Sequence, residues 1–196
     1  SLGADWAVVQ LYGPNPPQMV ASTSVRAGTP AAGANTPSSQ IIYNTAHPML
    51  TLDQGVEAQF LDGLAAGTVS GVAWRLKSGG TTATTTCMLA LASGTAGSNA
   101  LWTVINGAFV SRASITASAF NTANDTIVGE SVGNVNTVKR IRSGVTTTVA
   151  SWTDSGAVFP YDSTNQYSGF YMQSANNGVG TLVAGPRMDN WRGYDI

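Results

Sequence analysis

Acidic side chains are the first candidates for chemistry, because a pair of carboxyl groups can cleave a glycosidic bond. The two groups of such a pair lie about 5 to 10 Å apart. The nearest arrangement in this sequence is Asp53 and Glu57, which a β-strand would project to one face roughly 13 Å apart. That separation exceeds both glycosidase geometries. We therefore interpret the two residues as solvent-facing acids and predict that the protein is not an enzyme.

A second candidate is the segment Gly129-Glu130-Ser131-Val132-Gly133, which matches the GxSxG pattern of hydrolase nucleophiles. That motif functions where a strand turns sharply into a helix. Here it lies inside a predicted strand, and the only histidine, His47, precedes it. We interpret the match as fortuitous. One histidine and one cysteine also exclude a zinc site of ordinary spacing, and Cys87 lies in an apolar run that predicts burial.

Loop oxygens offer the only pattern suited to a metal. Calcium takes about six to eight oxygen ligands, which Asp and Asn can supply. The candidates are Asp162, Asn165, Asn176, Asn177, Asp189 and Asn190. Because Asn and Asp are also common turn formers, we favour that interpretation and predict no cofactor, with calcium left open.

Sugar binding is the remaining chemistry, since an aromatic ring can pack on a pyranose face while amides and charged groups bind its hydroxyls. The candidates outside the expected core are Trp102, Tyr161, Tyr167, Tyr171, Asn176, Asn177 and Arg187. Four other tryptophans are predicted to lie in the core or between sheets: Trp6, Trp74, Trp152 and Trp191.

Short strands must position these side chains. The chain has 196 residues, of which only 10% are charged, and it contains 22 glycines. About a dozen runs rich in Val, Ile, Thr and aromatic residues are separated by turn signals, which predicts one all-β domain over residues 1–196. The net charge of −1 and the lack of a basic run argue against a nucleic-acid partner. No apolar run is long enough to span or insert into a membrane.

The clearest local pattern is a three-stranded meander over residues 124–155. Its strands are predicted at 126–132, 135–142 and 145–152, with turns at Gly133-Asn134 and Ser143-Gly144. Asn106-Gly107 predicts another tight hairpin, and residues 18–26 are read as one strand. Together these elements predict a two-sheet antiparallel β-sandwich or jelly roll.

Taken in order, the motifs resemble the laminin-G-like branch of the concanavalin A-like lectin/glucanase superfamily. The residues that carry the likeness are 1–6 (SLGADW), 70–76 (SGVAWRL), the turns of the 124–155 meander, 169–171 (GFY) and 188–191 (MDNW). The resemblance implies a concanavalin A-like fold. The ExDxxE carboxylate motif of the glucanase members is absent from this sequence.

The amino-acid composition, poor in charged residues and rich in Ala, Gly and Thr, is similar to that of minor tail proteins of phages that infect mycobacteria and related actinobacteria. This likeness implies a tail-tip adhesin on the virion that recognises a glycan or glycolipid of the host envelope, within a homotrimeric fibre. The alternative is a structural domain that caps or trimerises a fibre and binds no external ligand. Because the sequence begins without Met inside a predicted strand, we expect it to be part of a longer chain.

Overall fold

A computed structural model describes residues 5–12, 18–20, 24–26, 39–64, 67–94, 99–116, 119–120, 122–160, 162–176, 182–183 and 185–196. Within these ranges the chain forms sixteen β-strands. They contain no helix long and apolar enough to cross a bilayer.

The strand bounds follow the runs of β-branched and aromatic residues. In chain order they are β1 Trp6–Tyr12, β2 Gln18–Val20, β3 Ser24–Arg26, β4 Ser39–Asn44, β5 Gln54–Phe60, β6 Val69–Leu76, β7 Cys87–Ser93, β8 Ala100–Ile105, β9 Ala108–Ser114, β10 Thr126–Val132, β11 Val135–Arg142, β12 Val145–Thr153, β13 Tyr167–Gln173, β14 Ala175–Asn176, β15 Leu182–Val183 and β16 Met188–Asp195.

The strands form two seven-stranded antiparallel sheets and a two-stranded ribbon. The first sheet has the order β1-β4-β13-β6-β7-β8-β9, and the second has the order β12-β11-β10-β5-β16-β3-β2. The ribbon pairs β14 with β15. This arrangement confirms the predicted jelly-roll sandwich, including the β10–β12 meander at one side of the second sheet.

The side chains of the first sheet alternate between two apolar clusters. On β4, Ile42 faces the second sheet and joins the main core with Trp74 and Phe60. Its neighbours Ile41 and Tyr43 belong to a second cluster, on the outer face of the first sheet. This alternation follows from the two-residue period of a strand, and it makes both faces of the first sheet apolar.

The predicted cores and turns agree with these positions. Trp74 is fully buried, while Trp6, Trp152 and Trp191 are partly buried and pack against the main core. The two residues of each predicted hairpin turn at 106–107 and 143–144 all have positive φ, between 49° and 78°. Two consecutive residues of positive φ are what a tight I′ turn requires.

The region of residues 18–26 differs from the prediction of one strand. It contains β2 and β3, which pair with each other so that Met19 lies opposite Val25. No Gly, Pro or Asn lies between Val20 and Ser24 to signal the reversal. The β14–β15 ribbon was not predicted either, because two-residue strands are too short for periodicity to reveal.

Candidate functional site

The outer face of the first sheet carries a depression of about 330 Å³, which we call the front pocket. It extends across β13, β6, β7, β8 and β9. Its lining residues are Gly67, Val69, Leu91, Ser93, Trp102, Phe109, Tyr171 and Gln173. None of the eight is charged, so ligand binding there depends on apolar contact and neutral hydrogen bonds.

Strand register brings these side chains together. Tyr171 lies opposite Gly71 of β6, and Gly71 lies opposite Leu91 of β7. A Cβ atom on Gly71 would lie 1.8 Å from the carbonyl oxygen of Ala90, so only glycine fits there. The Ala90 carbonyl therefore occupies the place of a side chain at this position, between Tyr171 and Leu91 in the sheet.

Two aromatic rings form one wall of the front pocket. Trp102 and Phe109 meet edge to face, with ring centroids 6.5 Å apart. Phe109 is 41% exposed although it is a large apolar residue. The indole N–H of Trp102 is shielded from solvent and has no hydrogen-bond partner among the residues that the structure describes. This wall therefore offers a ligand a ring surface more than a hydrogen-bonding group.

A hydrogen-bonded chain forms the polar side of the front pocket. The hydroxyl of Tyr171 donates to Gln173 Oε1 at 2.9 Å. Burial raises the pKa of Tyr171 to about 12, although a hydrogen bond from Ser39 acts in the opposite direction. The phenol therefore stays protonated at neutral pH and remains a donor. Its bond occupies the acceptor end of the Gln173 amide, which leaves the Nε2 end for a ligand.

Two of the seven predicted sugar-binding residues, Trp102 and Tyr171, thus meet in one pocket. The prediction omitted Gln173, Phe109 and Ser39. A sequence signal for Gln173 did exist, because residues two apart on a strand share a face and Gln173 follows Tyr171 by two. A signal for Phe109 existed as well, because the predicted hairpin at Asn106-Gly107 pairs Val104 with Phe109 and so brings Phe109 diagonally beside Trp102.

The other predicted residues lie elsewhere or outside the described ranges. Tyr167 is at the far end of β13, about 13 Å from Tyr171 by strand geometry, and packs edge to face on Tyr43. Arg187 precedes β16 of the second sheet. Asn176 lies in β14, but its side chain is outside the description, as are Tyr161 and Asn177.

Arg187 has a partner that accounts for its position. Its Nη2 lies 2.7 Å from Asp62 Oδ1, and its backbone N–H donates to Asp62 Oδ2 at 3.0 Å. The hydrogen bond from the Arg187 side chain lowers the pKa of Asp62. The pair fastens the start of β16 to the segment that follows β5.

A second depression, of about 350 Å³, lies on the outer face of the second sheet, and we call it the back cleft. Its lining residues are Glu57, Val128, Glu130, Lys139, Ile141, Thr146, Arg192 and Tyr194. Glu57 of β5 lies opposite Val128, two residues before Glu130 on β10, so the two carboxylates are diagonal neighbours. Sequence analysis missed this pair, because its members are far apart in the chain.

The carboxylates of the back cleft are held by cations and a phenol. Glu130 forms an ion pair with Lys139 and accepts a hydrogen bond from Tyr194 at 2.8 Å. Glu57 lies 3.2 Å from Arg192 Nε. Burial and the bond to Glu130 raise the pKa of Tyr194. These contacts balance the negative charges of both carboxylates and favour a structural role for the cluster.

Asp53 and Glu57 were interpreted as solvent-facing acids. The side chain of Asp53 is indeed 39% exposed, whereas that of Glu57 is largely covered, and both have partners in the protein. Asp53 Oδ1 accepts the backbone N–H of Gly133 at 2.7 Å and lies 4.0 Å from the buried Arg75. Glu57 is paired as described above, with 22% of its side chain exposed. Asp53 therefore ties the start of β5 to the β10–β11 turn.

The GxSxG match has a structural explanation. Ser131 is fully buried, accepts a hydrogen bond from Trp74 Nε1 at 2.7 Å and donates to Asn136 Oδ1 at 2.6 Å. A Cβ on Gly129 would lie 2.5 Å from the Trp74 ring, and Gly133 forms a turn with φ of 54°. All three residues serve the packing of the sandwich.

Those calcium candidates that the structure describes form hydrogen bonds within the protein. Asp162 Oδ1 accepts hydrogen bonds from the backbone and hydroxyl of Thr164. Asn165 donates to the Arg75 carbonyl at 3.0 Å, and Asn190 donates to Gln59 at 2.7 Å. Within the described ranges, no three His, Cys, Asp or Glu side chains form a group able to hold a metal ion. The described candidates are thus bound to other groups of the protein, while the side chain of Asn176 and the whole of Asn177 lie outside the described ranges.

Comparison with solved structures identifies the type of sandwich. The exoplasmic/lumenal domain of VIP36, in its Ca2+/Man3GlcNAc-bound form, aligns over 98% of this chain and 84% of its own, with 12% identity and a TM-score of 0.59. The potassium-bound carbohydrate recognition domain of Emp46p aligns over 98% and 89%, with 11% identity and a TM-score of 0.57. The fold is that of the jelly-roll lectins.

Lectin II from Ulex europaeus gives a similar result, with 97% of this chain aligned to 92% of that one, 10% identity and a TM-score of 0.53. At these identities the likeness shows the fold alone. No protein-family model and no curated protein sequence matches this chain.

Proposed function

We propose that this protein is a non-catalytic glycan-binding domain that uses the front pocket as its binding site. The observation that carries the proposal is the joining of Trp102, Phe109 and Tyr171 with the Gln173 amide around one uncharged depression. Rings that pack on a sugar, beside a few neutral polar groups, are the chemistry a neutral saccharide needs. Structurally similar lectins have been solved with mannose or galactose.

The absence of catalysis is part of the proposal. The front pocket has no acidic residue, and glycoside hydrolysis ordinarily requires two. The acidic pair of the back cleft is held in ion pairs with Lys139 and Arg192. Both carboxyl groups of a glycosidase must reach the scissile bond, and these two are already bound by Lys139, Tyr194 and Arg192.

We place the domain on the tail tip of a phage that infects mycobacteria or related actinobacteria, where it attaches the virion to a glycan or glycolipid of the host envelope. The resemblance of its motifs and composition to minor tail proteins supports this setting. A shallow single site binds weakly, and a homotrimeric fibre would raise the avidity by multivalency. The proposed binding by aromatic rings and a neutral amide requires no cofactor. Whether calcium contributes is tested by comparing binding with and without EDTA.

The test is binding of the fluorescently labelled domain to a glycan array and to intact mycobacterial cells, with and without EDTA. Trp102→Ala removes part of the ring wall and should abolish binding. Tyr194→Ala removes an aromatic ring of the back cleft and should leave binding unchanged. Loss of binding in Tyr194→Ala alone would place the site on the second sheet. Loss of binding in the presence of EDTA would show that binding requires a metal ion.

The competing function is a structural fibre cap without an external ligand. It predicts a folded trimer that binds no permissive host and no arrayed glycan. Hydrolysis of envelope polysaccharide is tested in the same samples, by measuring sugar release with the wild type and with Glu57→Gln and Glu130→Gln. Release that either variant abolishes would contradict the non-catalytic proposal.

A further inference from the structure

The balance of donors and acceptors in the front pocket restricts its ligand. Gln173 Oε1 already accepts the Tyr171 hydroxyl, which fixes the orientation of the amide and engages one of the two lone pairs of its oxygen. The Gln173 Nε2 group, by contrast, has no partner among the described residues. The pocket therefore offers a ligand an amide donor whose orientation is fixed.

The rest of the lining is mainly apolar. The Gln173 amide shares the pocket with Val69, Leu91 and the rings of Trp102 and Phe109. Val69 lies directly opposite both Gln173 on β13 and Ser93 on β7, so an apolar group is the immediate cross-strand neighbour of the donor. A plain hydroxyl, which needs to donate as well as accept, would lose part of its hydration here.

An acyl group matches both features. Its carbonyl oxygen accepts hydrogen bonds and donates none, and its methyl group needs an apolar contact. We infer that the front pocket recognises a neutral saccharide through an acyl substituent, whose carbonyl accepts from Gln173 Nε2 and whose methyl packs against Val69, Leu91 and the Phe109 ring. This inference rests on the proposed function of the pocket.

The chemistry is shared by an acetamido group and an acetate ester, and three ligands separate them. The trimer of N-acetylglucosamine carries acetamido groups, the glucose trimer carries only hydroxyls, and an O-acetylated glucose trimer carries esters. All three are neutral. We expect at least one acylated trimer to bind about tenfold more tightly than the glucose trimer, from one hydrogen bond and one buried methyl.

Gln173→Met is the decisive variant, since it keeps the length of the side chain and removes the amide. It should reduce the preference for the acylated trimer to about threefold or less. The preference is the ratio of the two dissociation constants, so a loss of affinity common to both trimers cancels. Gln166→Met is the matched control, because Gln166 precedes β13 and does not line the pocket. Isothermal titration or NMR titration of the whole chain provides the affinities.

The outcomes separate the two proposals. Equal binding of all three trimers, abolished by Trp102→Ala, would overturn the acyl preference and leave the glycan-binding function standing. A preference that Gln173→Met leaves intact would also overturn it. If no trimer binds but cell binding is lost in Trp102→Ala, the acyl inference fails and the function remains. If neither trimers nor cells are bound, both fail.

Discussion

Replacing Ser131 by alanine tests whether the GxSxG match is structural. Its hydroxyl accepts the buried indole N–H of Trp74 at 2.7 Å and donates to Asn136 Oδ1 at 2.6 Å. All three side chains have 0% exposure. Leaving a buried donor unpaired costs about 1–3 kcal/mol, and the lost bond to Asn136 adds about 1 kcal/mol. We therefore expect Ser131→Ala to lower the free energy of unfolding by about 2–4 kcal/mol.

Equilibrium urea denaturation, followed by tryptophan fluorescence, measures this loss. With a slope of about 2 kcal/mol per molar urea, the midpoint should fall by about 1–2 M. Ser151→Ala is the matched control, because Ser151 is exposed on β12, and its effect should stay within about 0.5 kcal/mol. If the two variants had equal midpoints, the buried network would not stabilise the fold as argued. Loss of an enzymatic activity in Ser131→Ala, without loss of stability, would revive the nucleophile hypothesis.

Three further predictions concern positions outside the front pocket. Gly129→Ala should destabilise the protein by about 1–3 kcal/mol or prevent folding, because the new Cβ atom would lie 2.5 Å from the Trp74 indole ring. Gly63→Ala is the control: a Cβ atom there meets open space, so the same urea assay should show no change in stability. Arg187→Met should raise the pKa of Asp62, as measured by NMR titration, because the Arg187 side chain lowers that pKa in the wild type. The ion pair therefore stabilises the wild type at pH values above the unfolded pKa of about 3.9, and this stabilisation is lost as the pH falls through the folded pKa. The variant should lack this pH-dependent stabilisation. Cys87 should react with a thiol reagent only after unfolding, because complete burial raises its pKa, and labelling of the native protein at neutral pH would contradict this.

Local sequence was sufficient for most of the fold. The tight turns at 106–107 and 143–144 need consecutive positive φ values, and Asn-Gly and Ser-Gly supply residues that adopt them. Strands such as β10 and β11 were predicted with their bounds because their Val- and Thr-rich runs end at these turns. The β2–β3 reversal was missed because no turn residue marks it.

The candidate site was only partly predictable, for a physical reason. Residue types identified Trp102 and Tyr171 as ring surfaces, but which rings meet depends on pairing across β13, β6, β7 and β8. The same long-range register joins Glu57 to Glu130 on the second sheet. Spacing along the chain places Asp53 nearer to Glu57, yet Asp53 instead binds the Gly133 backbone.

The assignment of the front pocket as the glycan site is tested most directly by saturable binding of the labelled domain to intact mycobacterial cells. This binding is compared between wild type, Trp102→Ala and Tyr194→Ala. Each protein is first shown to be folded by its urea midpoint. We predict binding that excess unlabelled domain displaces, that Trp102→Ala loses and that Tyr194→Ala keeps. Undiminished binding by a folded Trp102→Ala variant would contradict the assignment of the front pocket as the glycan site.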